Sequence, residues 1–264
     1  MKKTNKFFAL ALMAVAMVFG SCSKDDDVNN VPSQKEIETK IIGKWKKMKQ
    51  DGKDVATNQR TIWLFNNDGK GTLSVADHKE GDDRFIWDNK ESVQYSVQGN
   101  VVYIISPSVE RTSTIPSISD SQMTMHVTKV LSHGIGIKAD YVGEYSKFTA
   151  DYSKDIIGLW EGVEMTGYET YGNAEARIEY RADGTYTYYV KDGENWIPST
   201  NADNEYNVDG DWLATRWRPE AGADYNYEWW DIDEIKDGTM KWSALREKEK
   251  GERFTTTFTW KKVK

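Results

Sequence analysis

Cysteine is nearly absent from this chain: Cys22 stands alone among 264 residues. No intramolecular disulfide can close, and no thiolate metal site can assemble. Histidine is almost as sparse. His78, His126 and His133 are the whole complement, none at metal-ligand spacing from a second histidine or cysteine, so each reads as a surface or structural side chain. A Gly-x-Ser-x-Gly elbow and a phosphate-cradling glycine loop are both missing. Glu205 to Gly210 starts like a calcium loop, but its twelfth position is Arg216, where a bidentate Glu is needed. Carboxylates are plentiful, as a glycosidase-like pair would require, yet no Asp or Glu stands in a distinctive setting. The sequence therefore predicts no catalytic residue, no metal and no cofactor, and a protein that is not an enzyme. Positive charge is also short. Lys and Arg number 35 against 42 Asp and Glu, a formal charge of −7. No stretch is basic enough to track a phosphate backbone, so nucleic acid is not an expected partner.

Long apolar runs are missing too, apart from one. Phe7 to Gly20 is unbroken and follows Lys2, Lys3 and Lys6. It is too short to span a bilayer and suits the central region of a signal peptide. Gly20-Ser21-Cys22 then resembles a bacterial lipobox, in which Cys22 becomes the acylated first residue of the mature chain and attaches it to a lipid bilayer. Cleavage there removes the three lysines and takes the formal charge from −7 to −10. Asp25-Asp26-Asp27 is linker-like, and it resembles the export signal of surface lipoproteins in Bacteroides-type bacteria. The expected location is the outer membrane, lipid-anchored and facing the exterior. Residues 1–22 form the signal and 23–36 a tether.

What remains is dominated by a duplication. Ile41-Ile42-Gly43-Lys44-Trp45 returns as Ile156-Ile157-Gly158-Leu159-Trp160, an offset of 115 positions. The same shift carries Phe65-Asn66-Asn67-Asp68-Gly69 onto Tyr180-Arg181-Ala182-Asp183-Gly184. Two motifs at one offset define tandem domains, 37–150 and 151–264. Both alternate apolar and polar residues between Gly/Asp/Asn turns, which predicts an all-β fold. Strands are expected at 61–65, 71–75, 95–97, 101–105, 121–130 and 136–148, then at 177–180, 185–190, 205–208, 211–216, 225–232, 239–245 and 253–261. Asp68-Gly69 and Asp183-Gly184 suit two-residue hairpin turns with positive φ at both positions. Ser33-Gln34-Lys35-Glu36 is a capping box and predicts a short helix ending before Gly43. Trp63, Phe65, Leu73 and Val75, with their counterparts Ile178, Tyr180, Tyr188 and Val190, are assigned to the core. Closing each meander into an up-and-down antiparallel β-barrel would remove its exposed edges.

Gly-x-Trp on a first strand, after a helical turn and before a meander, resembles the lipocalin-like domains of Bacteroides-type lipoproteins. The matching residues are Gly43 and Trp45, and Gly158 and Trp160. The resemblance implies that each Trp plugs one barrel end and that a basic residue of the last strand covers it; Lys147 and Arg253 are the candidates. It also implies non-enzymatic binding of a small apolar or amphipathic ligand, provided the barrel keeps a cavity and is not filled by its own side chains.

Tryptophan is the one residue in surplus. Eight of the eleven fall in the second repeat: Trp160, Trp196, Trp212, Trp217, Trp229, Trp230, Trp242 and Trp260. Along 225–232 alternation sets Tyr225, Tyr227 and Trp229 on one face and Trp230 and Ile232 on the other. With the second set inward, the first becomes an outward aromatic stripe, able to stack on a glycan, bury a protein partner or simply stiffen the barrel. Trp212 and Trp217 near Pro219, and Trp196 beside Ile197-Pro198, read as loops at a barrel mouth. The ligand-binding candidates are thus Trp196, Trp212, Trp217, Tyr225, Tyr227 and Trp229.

Overall fold

The computed structural model describes residues 31–76, 90–107, 109–132, 135–137, 139–167, 175–248 and 251–264. The signal segment, Cys22, the tether up to residue 30, His78 and His133 lie outside the described residues. Helix α1 (Gln34–Lys40) begins where the capping box predicts, with the Ser33 hydroxyl accepting from the Glu36 N–H at 3.3 Å. Its Ile37 and the following Ile41 are fully buried at one end of the first barrel.

That barrel contains β1 (Gly43–Gln50), β2 (Lys53–Asp54), β3 (Thr61–Phe65), β4 (Lys70–Val75), β5 (Glu91–Gln98) and β6 (Val101–Ile105). It continues through β7 (Val109–Ile118), β8 (Gln122–Ser132), β9 (Ile135–Ile137) and β10 (Tyr141–Lys147). Neighbours in sequence pair antiparallel, and β10 joins both β1 and β8, so eight strands close on themselves. The short β2 and β9 hang from β1 and β8. Two details differ from expectation. Strand β7 has no sequence-derived counterpart, because its run of Thr and Ser hides the alternation. The expected strand 136–148 is two strands, β9 and β10. Trp45, Trp63, Phe65, Leu73 and Tyr145 fill the interior at 2% exposure or less; each contributes roughly 1.5–3 kcal/mol or more of burial.

The second sheet runs β11 (Gly158–Thr166), β12 (Ala176–Tyr180), β13 (Tyr186–Asp192), β14 (Asn195–Pro198), β15 (Ala202–Asp209), β16 (Trp212–Arg218), β17 (Asn226–Lys236), β18 (Thr239–Glu247) and β19 (Arg253–Lys262). Its order is β14-β13-β12-β11-β19-β18-β17-β16-β15, a curled half-barrel with β14 and β15 at its edges. Asn195 to Pro198 is therefore a strand, not the mouth loop expected of it, and the strand expected at 211–216 runs on through Trp217 to Arg218, where a mouth loop was expected. The helical turn before β11 is a single turn, Ile156 N–H donating to the Tyr152 carbonyl at 3.1 Å.

Both hairpins at the repeated Asp-Gly differ from the expected type. Gly69 and Gly184 have φ of +76° and +84°, while neither Asp is in the positive region. The Gly N–H returns to the carbonyl of Asn66 or Arg181. Each is a tight turn followed by a left-handed glycine, the bulged form of hairpin. Asp68 and Asp183 instead accept from the N–H two residues on, at 3.1 and 2.9 Å.

The tryptophan plugs repeat almost atom for atom. Trp45 Nε1 donates to the Ile41 carbonyl at 2.7 Å, and Trp160 Nε1 to the Ile156 carbonyl at 2.6 Å. Lys147 Nζ lies 5.0 Å over the Trp45 ring, and Lys262 Nζ 5.1 Å over Trp160. Lys262, not Arg253, is thus the second cover, because the β11–β19 register sets Trp160 opposite Lys262. Arg253, at the other end of β19, reaches Glu247 at 3.2 Å and the Asp54 carbonyl of the first barrel. Gly43 has φ +125°, a conformation that favours glycine, and a Cβ there would sit 2.5 Å from Lys147 Cε and displace the end of that lysine.

Within the compact unit Val31–Lys264 the two sheets share a seam. Ile62 and Ala76 of the first barrel pack with Trp212, Ala214 and Trp229 of the second, and Phe148 and Tyr227 border them. Around this apolar patch, Lys46 bonds Asp211 at 2.7 Å and Asp231 at 2.8 Å, Arg60 pairs with Asp231, and Lys44 with Asp209.

Candidate functional site

The two repeats part company at one seam. In the first barrel β4 pairs with β5 over four rungs, Lys70↔Gln94 to Leu73↔Glu91. The equivalent in the second repeat keeps only the first rung, Thr185↔Glu205. The adjoining bond survives in both: Tyr95 N–H to the Gly69 carbonyl at 2.7 Å, and Tyr206 N–H to the Gly184 carbonyl at 2.8 Å. Beyond it the chain turns at Gly193-Glu194, and β14 takes the free edge of β13, Asp192↔Asn195 to Tyr189↔Pro198. A strand edge can satisfy one neighbour only, so β15 is left without its partner and the barrel stays open there. Val190, assigned to the core by alternation, is 45% exposed for that reason.

A cavity of about 520 Å³ opens inside this half-barrel. Tyr186, Tyr188 and Val190 of β13 wall the seam side, with Trp217 of β16 and Asn201. Its floor is a continuous aromatic layer. Phe258 and Trp260 stack with centroids 4.0 Å apart; Trp242 lies 5.0 Å from Trp260 and 5.4 Å from Trp230. Aromatic contacts of this kind contribute about 0.5–1.5 kcal/mol each beyond burial, which lets the floor hold without a filled interior.

Polar groups are few and specific. Glu228 of β17 lines the cavity and is the one charged side chain among its described lining residues. Trp230 Nε1 reaches its Oε2 at 3.4 Å, and Arg246 Nη2 lies 3.8 Å from Oε1. The Glu228 side chain retains 37% exposure, but protein encloses it and that surface faces the cavity. Burial raises its pKa, and Arg246 opposes the rise. The Arg246 guanidinium packs 4.5 Å over the Trp230 ring, behind the lining. Tyr180 Oη, Trp242 Nε1 and Trp260 Nε1 are buried without a hydrogen-bond partner in the protein. Burial pushes the Tyr180 and Tyr186 hydroxyls upward, so both stay protonated donors.

Of the six ligand-binding candidates singled out in the sequence, Trp217 alone lines this cavity. Trp212 and Trp229 are 1% and 4% exposed, buried in the seam between barrels. The outward stripe is thus corrected: its side of the sheet is as expected, but the first barrel covers Trp229, and Tyr227 stacks on it at 5.8 Å. Tyr225 lies under the guanidinium groups of Arg216 and Arg218, at 4.4 and 4.3 Å. Trp196 sits beneath Arg177, 4.3 Å away, on edge strand β14. Gly43, Trp45, Gly158 and Trp160 form the two barrel plugs. The cavity residues Tyr186, Tyr188, Glu228, Trp230, Trp242 and Trp260 were not among the candidates. Their signal was present, since Glu228 shares the face of Trp230 and Ile232 by period two, an acid on an inward-facing row. Among the described residues no group of three or more His, Cys, Asp or Glu is placed to hold a metal.

No family model matches the chain, and no curated protein matches it. The solved structures that resemble it include two, both at low identity. One is a protein of unknown function from the DUF3598 family of Nostoc punctiforme, 14% identical, TM-score 0.26, spanning 88% of this chain and all of that one. The other is a double mutant of the vaccine antigen transferrin-binding protein B from Haemophilus parasuis, 9% identical, TM-score 0.24, spanning 77% of this chain and 53% of that one. At these values neither likeness carries weight for function.

Proposed function

We propose that this protein is a membrane-anchored, non-enzymatic binding protein whose second barrel holds a small apolar or amphipathic molecule. The observation that carries the reading is the aromatic cavity of about 520 Å³ at the unzipped seam, a size in the usual range for small-ligand sites. The first barrel, closed and filled by Trp45, Trp63, Phe65 and Tyr145, acts as a support that covers the outer aromatic face of the second. Acylation of Cys22 ties the pair to the outer membrane, facing the exterior. A glycan or protein site on the aromatic stripe loses favour, because its Trp229 is already packed against Ile62.

Tryptophan fluorescence of the chain beginning after Cys22, titrated with the neutral probe N-phenyl-1-naphthylamine, tests this. Saturable energy transfer to the probe that weakens at least severalfold in Tyr188→Ala or Trp217→Ala is the expected result. Probe binding that is absent, or untouched by both substitutions, refutes it.

A further inference from the structure

The cavity has an electrostatic sign as well as a shape. Glu228 is its only charged described lining residue, and the others, Tyr180, Tyr186, Thr215, Trp230 and Trp242 among them, are aromatic or neutral. The one nearby cation, Arg246, is the ion-pair partner of Glu228, but a loose one. Its guanidinium carbon lies 4.5 Å from the Trp230 ring centroid, and the group approaches Glu228 no closer than 3.8 Å, beyond hydrogen-bond range. A carboxylate offers about four lone-pair sites, and the contacts to Trp230 and Arg246 are both long. Glu228 therefore has acceptor capacity to spare in a cavity lined largely by aromatic side chains. A carboxylate in such surroundings attracts a cation and repels an anion. Partial enclosure strengthens both effects, since less water screens them than at an open surface.

We propose that Glu228 sets the ligand class of the second barrel: an apolar molecule carrying one positive charge, a primary amine on an aromatic or alkyl body. The inference rests on the carrier reading above. The ammonium sits on Glu228 against Trp230 and Tyr186, and the apolar body lies on the layer of Trp242, Phe258 and Trp260.

Three probes of one shape and different charge test it: 4-phenylbutylamine, 4-phenylbutan-1-ol and 4-phenylbutanoate, titrated calorimetrically into the chain beginning after Cys22. The amine is expected to bind roughly tenfold or more tighter than the alcohol, and the acid weakest, as a charge-assisted bond inside an aromatic enclosure requires. Glu228→Gln should bring the amine to the alcohol's affinity and leave the alcohol unchanged. If amine and alcohol bind alike, or the acid binds best, the amine assignment is overturned while the carrier reading stands. If none of the three binds, and the neutral naphthylamine also fails, both fall together. The wild-type series decides the point even where Glu228→Gln does not fold.

Discussion

Asp231 is the residue on which the seam between the barrels turns, and removing its charge should cost more than any surface ion pair would. Lys46 and Arg60 are 6% and 4% exposed, and both direct their cationic groups at the one carboxylate oxygen Oδ1 of Asp231. Asp231→Asn keeps the shape but strands the buried Arg60 and leaves Lys46 with Asp211 alone. Removing one partner of a buried pair typically costs about 3–5 kcal/mol. The Asp231 side chain is 15% exposed and Lys46 retains Asp211, so the low end, about 3 kcal/mol, is the appropriate figure. For a unit of this size that corresponds to a fall in Tm of about 6–12 °C. Asp211→Asn is the control. Burial and the neighbouring Asp231 raise the Asp211 pKa against the pull of Lys46 and Arg60, so its ionised form is already disfavoured; loss of its charge should cost less than about 1 kcal/mol. Acid titration gives a second reading. Burial works to raise the Asp231 pKa, but Arg60 and Lys46 together outweigh it and hold the pKa below the usual carboxylate range. Its contribution is therefore present above the ordinary carboxylate pKa and lost as pH falls through the lowered one. Thermal melts followed by near-ultraviolet circular dichroism would show it. Equal Tm losses in the two variants, or none in Asp231→Asn, would refute the reasoning.

Two further outcomes are expected. Gly43→Ala meets both a left-handed φ of +125° and a Cβ position 2.5 Å from Lys147 Cε, and should lower stability by about 2 kcal/mol or more in urea melts; a neutral substitution would refute the backbone strain. Cys22→Ser should move the protein from the detergent phase to the aqueous phase after Triton X-114 separation of expressing cells, and unchanged partitioning would show that the anchor lies elsewhere.

The duplication was legible because it lives in covalent spacing. Gly43 and Gly158 share one offset with Trp45 and Trp160, and their paired geometries follow from identical local demands. Strand positions were legible where alternation was strong, as in β3 and β17, and lost in β7, whose Thr and Ser run carries little contrast. The inward placing of Trp230 and Ile232 was likewise available from period two alone. Alternation assigns a side of a sheet, however, and says nothing of what lies against that side. Trp229 was correctly placed on the outer face, and only the packing of Ile62 and Ala76 upon it turned a surface into a seam. Register decided for Lys262 over Arg253, since which end of β19 meets Trp160 depends on pairing between segments about a hundred residues apart. The cavity was decided in the same way. Each edge of β13 holds one neighbour, and β14 occupies the one that β15 would need; that competition for backbone hydrogen bonds exists only in the folded sheet, and it separates the repeat that closes from the one that stays open.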